Sequence, residues 1–128
     1  MGESTFRVLL PGDEDALEDF LLPQIESSMF LISNMRTSGL IDNGQAYTGT
    51  YAAAFVDDRI TGVVAHYWNQ SLVFQAPLHL HKLWQLAIET SQRPVGGLIG
   101  PADQVDAASA ALGVNESNAK LDEVEKLY

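Results

Sequence analysis

Between Gln45 and Gln75 the sequence carries aromatic and β-branched residues in three runs separated by turn-forming residues, and no other stretch constrains the fold as tightly. Tyr47 to Val56, Ile60 to Trp68 and Leu72 to Gln75 have strand composition, with Asp57-Asp58 and Asn69-Gln70-Ser71 placed where tight turns would join them. Turns this short join antiparallel neighbours, so residues 45–75 are predicted to form a meander. At period two, Tyr47, Gly49, Tyr51, Ala53 and Phe55 share one face of the first strand, and Thr48, Thr50, Ala52 and Ala54 share the other. The small residues suit a closely packed helix or a shallow groove. Gly49 is expected to mark a bulge or a close backbone approach.

The flanks read differently. Phe6 to Leu10 is a short strand closed by Pro11-Gly12. Asp13 is placed as a helix N-cap, with Glu14, Asp15, Glu18 and Asp19 near the positive end of the dipole and Ala16, Leu17, Phe20 and Leu21 as the apolar stripe. Pro23 stops or kinks that helix. A second short helix runs through Ile25, Met29, Ile32 and Met35 to Gly39, read as a left-handed cap. After the meander, Pro77 suits the first position of a helix carrying Leu80, Leu83, Trp84, Ala87 and Ile88. A buried strand, Val95 to Ile99, and an Ala-rich helix over 102–112 capped by Gly113 complete the pattern. The expected fold is α+β, a mixed but mainly antiparallel sheet flanked by helices in the order β-α-α-β-β-β-α-β-α. From Asn115 onward, Leu121, Val124 and Leu127 or Tyr128 could line a last helical turn, but no cap follows, and a truncated chain is expected.

Charge narrows the partners. Seven Lys+Arg stand against seventeen Asp+Glu, a formal charge of -10, and phosphate backbones and anionic lipids would be repelled. Neither nucleic acid nor membrane is therefore an expected partner. Residues 1–45 hold eight acids and two bases, 46–100 three of each, and 101–128 six acids and two bases, so the acidic ends read as solvated helix faces. With no Cys, disulfides, thiolate nucleophiles and Cys-ligated metals are ruled out together. The start, Met1-Gly2-Glu3-Ser4, is acidic and leads into no long apolar run; no signal peptide or spanning helix is expected, and a cytoplasmic location fits.

Three motifs carry potential chemistry. His79-Leu80-His81 lies at a predicted helix start, where the two imidazoles point about 200° apart and do not readily share a metal, and His66 has no fixed relation to them; no metal site is assigned. Gly96-Gly97-Leu98-Ile99-Gly100-Pro101-Ala102-Asp103 is a glycine-rich strand-to-helix junction. Its spacing is not G-x-G-x-x-G and Asp103 would repel a phosphate, so it reads as a structural turn. None of the serines sits in G-x-S-x-G, which leaves a hydrolase triad without a sequence signal. The aromatics Tyr47, Tyr51, Phe55, Tyr67, Trp68 and Phe74 read as core, with a substrate groove or partner surface as the alternative.

The element order, with Val8-Leu9-Leu10-Pro11-Gly12-Asp13, the helical Phe30-Leu31-Ile32-Ser33-Asn34-Met35, the hairpin Tyr51 to His66 and Gly96-Gly97-Leu98-Ile99-Gly100-Pro101, resembles the GNAT superfamily of N-acetyltransferases (acyl-CoA N-acyltransferases). More specifically it resembles the degenerate N-terminal lobe of bacterial two-lobed GNAT proteins. The resemblance implies a GNAT-like lobe over residues 1–114, with 115–128 leading to a second lobe of the same chain that lies beyond this sequence. It also implies acetyl transfer from acetyl-CoA to an amine in the full-length protein.

A working lobe of that family carries Q/R-x-x-G-x-G/A between its fourth strand and third helix, where backbone N–H groups cradle the cofactor pyrophosphate. Here that place reads Gln75-Ala76-Pro77-Leu78-His79-Leu80, without the glycines and with a proline that removes one donor. No acetyl-CoA binding by this lobe is expected, and no residue is assigned as catalytic or cofactor-binding. Tyr51, His66 and Tyr67 would border an acceptor groove. The alternatives are an active single-domain acetyltransferase and a small interaction or dimerisation module; a free sheet edge would favour a homodimer.

Overall fold

The computed structural model describes residues 4–112. Five strands form one open mixed sheet in the order β1-β2-β3-β4-β5: β1 (Thr5–Val8), β2 (Gly49–Val56), β3 (Arg59–Tyr67), β4 (Ser71–Gln75) and β5 (Gly97–Ile99). The first four are antiparallel neighbours, and β5 runs parallel to β4. Four α-helices complete the described residues: α1 (Glu14–Leu21), α2 (Ile25–Ser38), α3 (Leu80–Ser91) and α4 (Ala102–Leu112). The architecture is α+β.

Helices cover both faces of the sheet. Leu17 and Leu21 of α1 and Leu31, Ile32 and Met35 of α2 pack on Tyr51, Ala53, Val63, Ala65 and Tyr67. On the opposite face Leu83, Trp84 and Ala87 of α3 and Val105 and Ala108 of α4 pack on Ala52, Ala54, Val64, Leu72, Phe74 and Leu98. The period-two alternation of β2 thus sends Tyr51 and Ala53 to one helical layer and Ala52 and Ala54 to the other, where their small side chains let α3 come close. The meander is the centre of the core because it is buried from both sides.

Several local expectations change. The strand expected from Tyr47 begins at Gly49; Tyr47 lies in the preceding turn at φ 69° and belongs to neither face. Gly49 is a close approach, because a Cβ there would stand 2.5 Å from Tyr67 Cδ1 and 2.8 Å from the His66 carbonyl oxygen. The register shift lies elsewhere, between Ala54 and Phe55 opposite Thr61. Asp57 and Asp58 both take positive φ, 52° and 66°, as a two-residue turn of the I′ kind requires.

Asp13 stands at the N-cap of α1 without capping it by its side chain: the carboxylate instead takes two hydrogen bonds from Arg7 and one from the Leu10 N–H. Helix α2 is fourteen residues long, not short, and Pro23 falls in the 3-10 turn (Leu22–Gln24) that separates it from α1. Gly39 ends α2 at φ 75° and ψ -162°, a conformation open to glycine but not the left-handed helical one expected. Pro77 is outside α3, which starts three residues later behind a left-handed His79 at φ 61°. The strand expected from Val95 is confined to Gly97–Ile99, and that expected over Phe6 to Leu10 to Thr5–Val8. The Gly113 cap and the segment 115–128 lie outside the described residues.

Candidate functional site

Cross-strand pairing sets Thr50 of β2 opposite His66 of β3, both buried on the α3 side of the sheet. The loops that lead into and out of these elements bring Asp42 and Arg93 to the same place. Thr50 Oγ1 donates to Asp42 Oδ2 at 2.7 Å, and Arg93 Nη2 donates to Asp42 Oδ1 at 2.7 Å. Arg93 Nη1 also donates to the His66 backbone carbonyl at 2.8 Å. This ion pair ties the loop after α2 to the loop after α3 across the end of the meander.

His66 is fully buried and has a partner at each ring nitrogen: Pro94 O at 3.0 Å from Nε2, and Ser91 Oγ at 2.7 Å from Nδ1. A carbonyl can only accept, so Nε2 carries the proton and Nδ1 is the free base that receives the Ser91 hydroxyl. Ser91 is the last residue of α3 and lines a cleft of about 400 Å³ together with Leu10, Ile41, Asp42, Thr50, Thr90 and Arg93.

The charges of the cluster have definite directions. Burial pushes the Asp42 carboxyl up, but the hydrogen bonds from Arg93 and Thr50, the Arg93 charge and the Gly44 N–H outweigh it and hold the group below its usual value. Burial lowers His66 below its ordinary 6.5; the Pro94 carbonyl opposes this, the Arg93 charge adds to it, and the Gln70 backbone and Asp42 oppose it. Between the two values the unfolded chain binds a proton that the folded His66 does not. Its contribution to stability is therefore complete above about pH 6.5 and is lost as pH falls below it. Urea midpoints measured down a pH series should fall below that point, and His66→Asn should flatten this component; a wild-type midpoint level through the range would exclude it.

Of the three residues expected to border an acceptor groove, Tyr51 and Tyr67 are brought together and His66 is not. Adjacent strand positions point to opposite faces, so His66 lies under α3 while Tyr67 and its neighbour Tyr51 lie under α1 and α2. The two tyrosine rings meet edge to face at 5.5 Å, and Tyr67 donates its hydroxyl proton to the Tyr51 hydroxyl at 2.8 Å. Burial raises the pKa of both phenols, and they serve as neutral hydrogen-bonding groups. Tyr67 does reach the floor of a second, mainly apolar cleft of about 300 Å³, walled by Phe30, Tyr47, Trp68 and Ile99. His79 contacts Ser4 through Nε2 and Phe6 through its ring, and His81 stands edge-on to Trp84.

The first positions of the connection from β4 to α3 are occupied by the chain's own groups. The Ala76 N–H donates to Gln104 Oε1 of α4 at 2.8 Å, Pro77 has no N–H, and the Gln75 side chain accepts from Ser28 and donates to Gln24. At the end of β5, Gly100 packs directly on Phe74: a Cβ at Gly100 would stand 2.9 Å from Phe74 Cβ and from its carbonyl oxygen.

No family model, no curated protein and no solved structure matches this chain. The fold and site define an α+β domain with a half-buried polar cluster beside a cleft. Sequence reasoning identified His66 but missed Thr50, Asp42, Ser91 and Arg93 as its companions. Asp42 and Arg93 are 51 positions apart and Ser91 is 25 from His66, so no spacing rule joins them.

Proposed function

We propose that this chain is the non-catalytic N-terminal lobe of a two-lobed GNAT-type N-acetyltransferase, located in the cytoplasm, and that it packs against an acetyl-transferring second lobe of the same protein. The observation that carries the reading is the β4–α3 connection. The family resemblance puts a pyrophosphate cradle of free backbone N–H groups at this point. In this chain Gln104 takes the Ala76 N–H, proline removes the next, and His79 turns the backbone left-handed. These residues do not fit acetyl-CoA, and no step of acetyl transfer is assigned to them.

The unpaired outer edge of β5 supports the partner half of the reading. Among the described residues β5 pairs only with β4, and it is three residues long. A short edge of this kind invites an added strand, here from the second lobe, with a homodimer as the substitute when that lobe is absent. No helix among the described residues is long and apolar enough to cross a membrane.

Calorimetric and thermal-shift titration of residues 1–128 with acetyl-CoA tests the proposal. A ligand bound only by the folded state adds about 2.7 kcal/mol of apparent stability at a hundred times its dissociation constant. The expected result is no saturable heat and no rise in melting temperature. A saturable rise would overturn the proposal in favour of a lobe that holds the cofactor itself.

A further inference from the structure

We propose that, apart from acetyl transfer, in which this lobe takes no part, Ser91 is a nucleophile activated by His66, and that the cleft it lines accepts a small uncharged carboxylic ester. The arrangement has the parts such a site needs: a hydroxyl on a base, a base fixed in one tautomer, and a cleft lined by the serine. Pro94 O holds the proton on Nε2, leaving Nδ1 unprotonated 2.7 Å from Ser91 Oγ. The Ile88 carbonyl also lies near that oxygen, but at 3.4 Å it is the poorer acceptor, so the hydroxyl proton points to the imidazole. The Arg93 N–H lies 3.4 Å from Ser91 Oγ on the backbone side.

The lining sets the substrate class. Asp42 and Arg93 are the charged groups lining the cleft and are paired with each other, so the cleft offers no net charge to an ionised ligand. Its mouth carries Leu10 and Ile41, both more than half exposed, which suit a short apolar acyl chain. Arg93 uses one hydrogen on each terminal nitrogen for His66 and Asp42. Its guanidinium lines the same cleft as Ser91 and carries further N–H groups able to donate to an oxyanion.

The chemistry balances with water as the only co-reactant. The Ser91 oxygen adds to the ester carbonyl carbon as its proton passes to His66 Nδ1. The carbon–oxygen bond to the alcohol then breaks, and the same proton leaves with the departing oxygen. Water repeats both steps on the acylated serine, releasing a carboxylic acid and restoring Ser91, with no change of oxidation state. The positive charge on His66 forms against burial and the Arg93 charge, and is favoured by the Pro94 carbonyl, by Asp42 and by the C-terminal end of the α3 dipole.

An alkyl fluorophosphonate, followed by intact mass and peptide mapping, provides the test, with circular dichroism to verify folding of each variant. The expected result is a single adduct on Ser91 that is lost in Ser91→Ala and slowed about a hundredfold or more in His66→Asn. Asparagine can still accept the Ser91 hydrogen bond but cannot take the proton, so a merely structural His66 would leave the rate unchanged. Independently of any variant, the wild-type rate should fall on acidification at a pH below His66's ordinary 6.5, where the folded imidazole takes up its proton, since His66 must be neutral and is flanked by Arg93 and Asp42 as the charged groups. No adduct on the folded protein, an adduct on other serines alone, or a rate flat across that range would overturn the proposal.

Discussion

Arg93→Met will destabilise the protein by about 3 kcal/mol, read as a lower urea midpoint with an unchanged slope. Arg93 is the common partner of Asp42 and of the His66 carbonyl, and both ends of the ion pair are mostly buried, at 16% and 15% side-chain exposure. Methionine fills the space of the side-chain stem but returns neither hydrogen bond. The carboxylate then keeps only Thr50 and the Gly44 N–H, and the carbonyl of His66 loses the guanidinium that held it. Removing one member of a buried pair typically costs about 3 to 5 kcal/mol, and the residual solvent access here sets the lower end.

The same substitution carries a second signature. In the wild type the lowered Asp42 contributes stability that is present above its ordinary 3.8 and is lost as pH falls through that value toward the folded one. Without Arg93 this acid-side loss shrinks, because the partner that lowered the carboxyl is gone. The double variant Asp42→Asn with Arg93→Met should recover part of the loss, the mark of two groups that act as one unit. A midpoint change worth less than about 1 kcal/mol would show that the loops after α2 and α3 are held by packing alone.

Gly49→Ala is the other substitution with a large expected cost, again about 3 kcal/mol and roughly 10 °C in melting temperature. The added methyl would meet Tyr67 Cδ1 at 2.5 Å, the His66 carbonyl oxygen at 2.8 Å and Tyr67 Cα at 2.9 Å. Two of those atoms are backbone. The third belongs to a ring that is buried among core residues and anchored by its hydroxyl to Tyr51, so it has no free direction in which to move. Gly62→Ala offers the comparison within the same hairpin, since its nearest neighbours stand at 3.3 Å and small shifts can absorb the methyl. Thermal melts that rank the two variants equally would show that β2 and β3 can separate at Gly49 without loss.

Much of the architecture was legible because it rests on local rules. Asp57-Asp58 between two strand-like runs predicted the β2–β3 turn, and both residues take the positive φ that such a turn needs. The small residues Ala52 and Ala54 were read as a surface for a close helix or a shallow groove, and α3 packs there. Boundaries were less legible. Pro77 was read as a helix start by propensity, whereas the chain first turns through His79, and Ala76 binds Gln104 from α4, a partner 28 residues away. Asp13 was read as a cap, but Arg7 lies one residue before the end of β1 and takes up the carboxylate in a bidentate ion pair.

The site divides along the same line. Alternation along β3 already dictates that His66 and Tyr67 face opposite layers, since a residue step in a strand reverses the side chain. The sequence by itself therefore determined where the strands lie to within a few residues, which faces are small or aromatic, and that the glycine-poor Gln75-Ala76-Pro77-Leu78-His79-Leu80 lacks the motif of a cofactor cradle. Only the tertiary structure decided that Ser91 stands against His66 and that Arg93 joins Asp42. Those contacts connect loops and helix ends that no periodicity relates, and they form because sheet pairing and the packing of α3 on the alanine face leave these polar groups each other as partners.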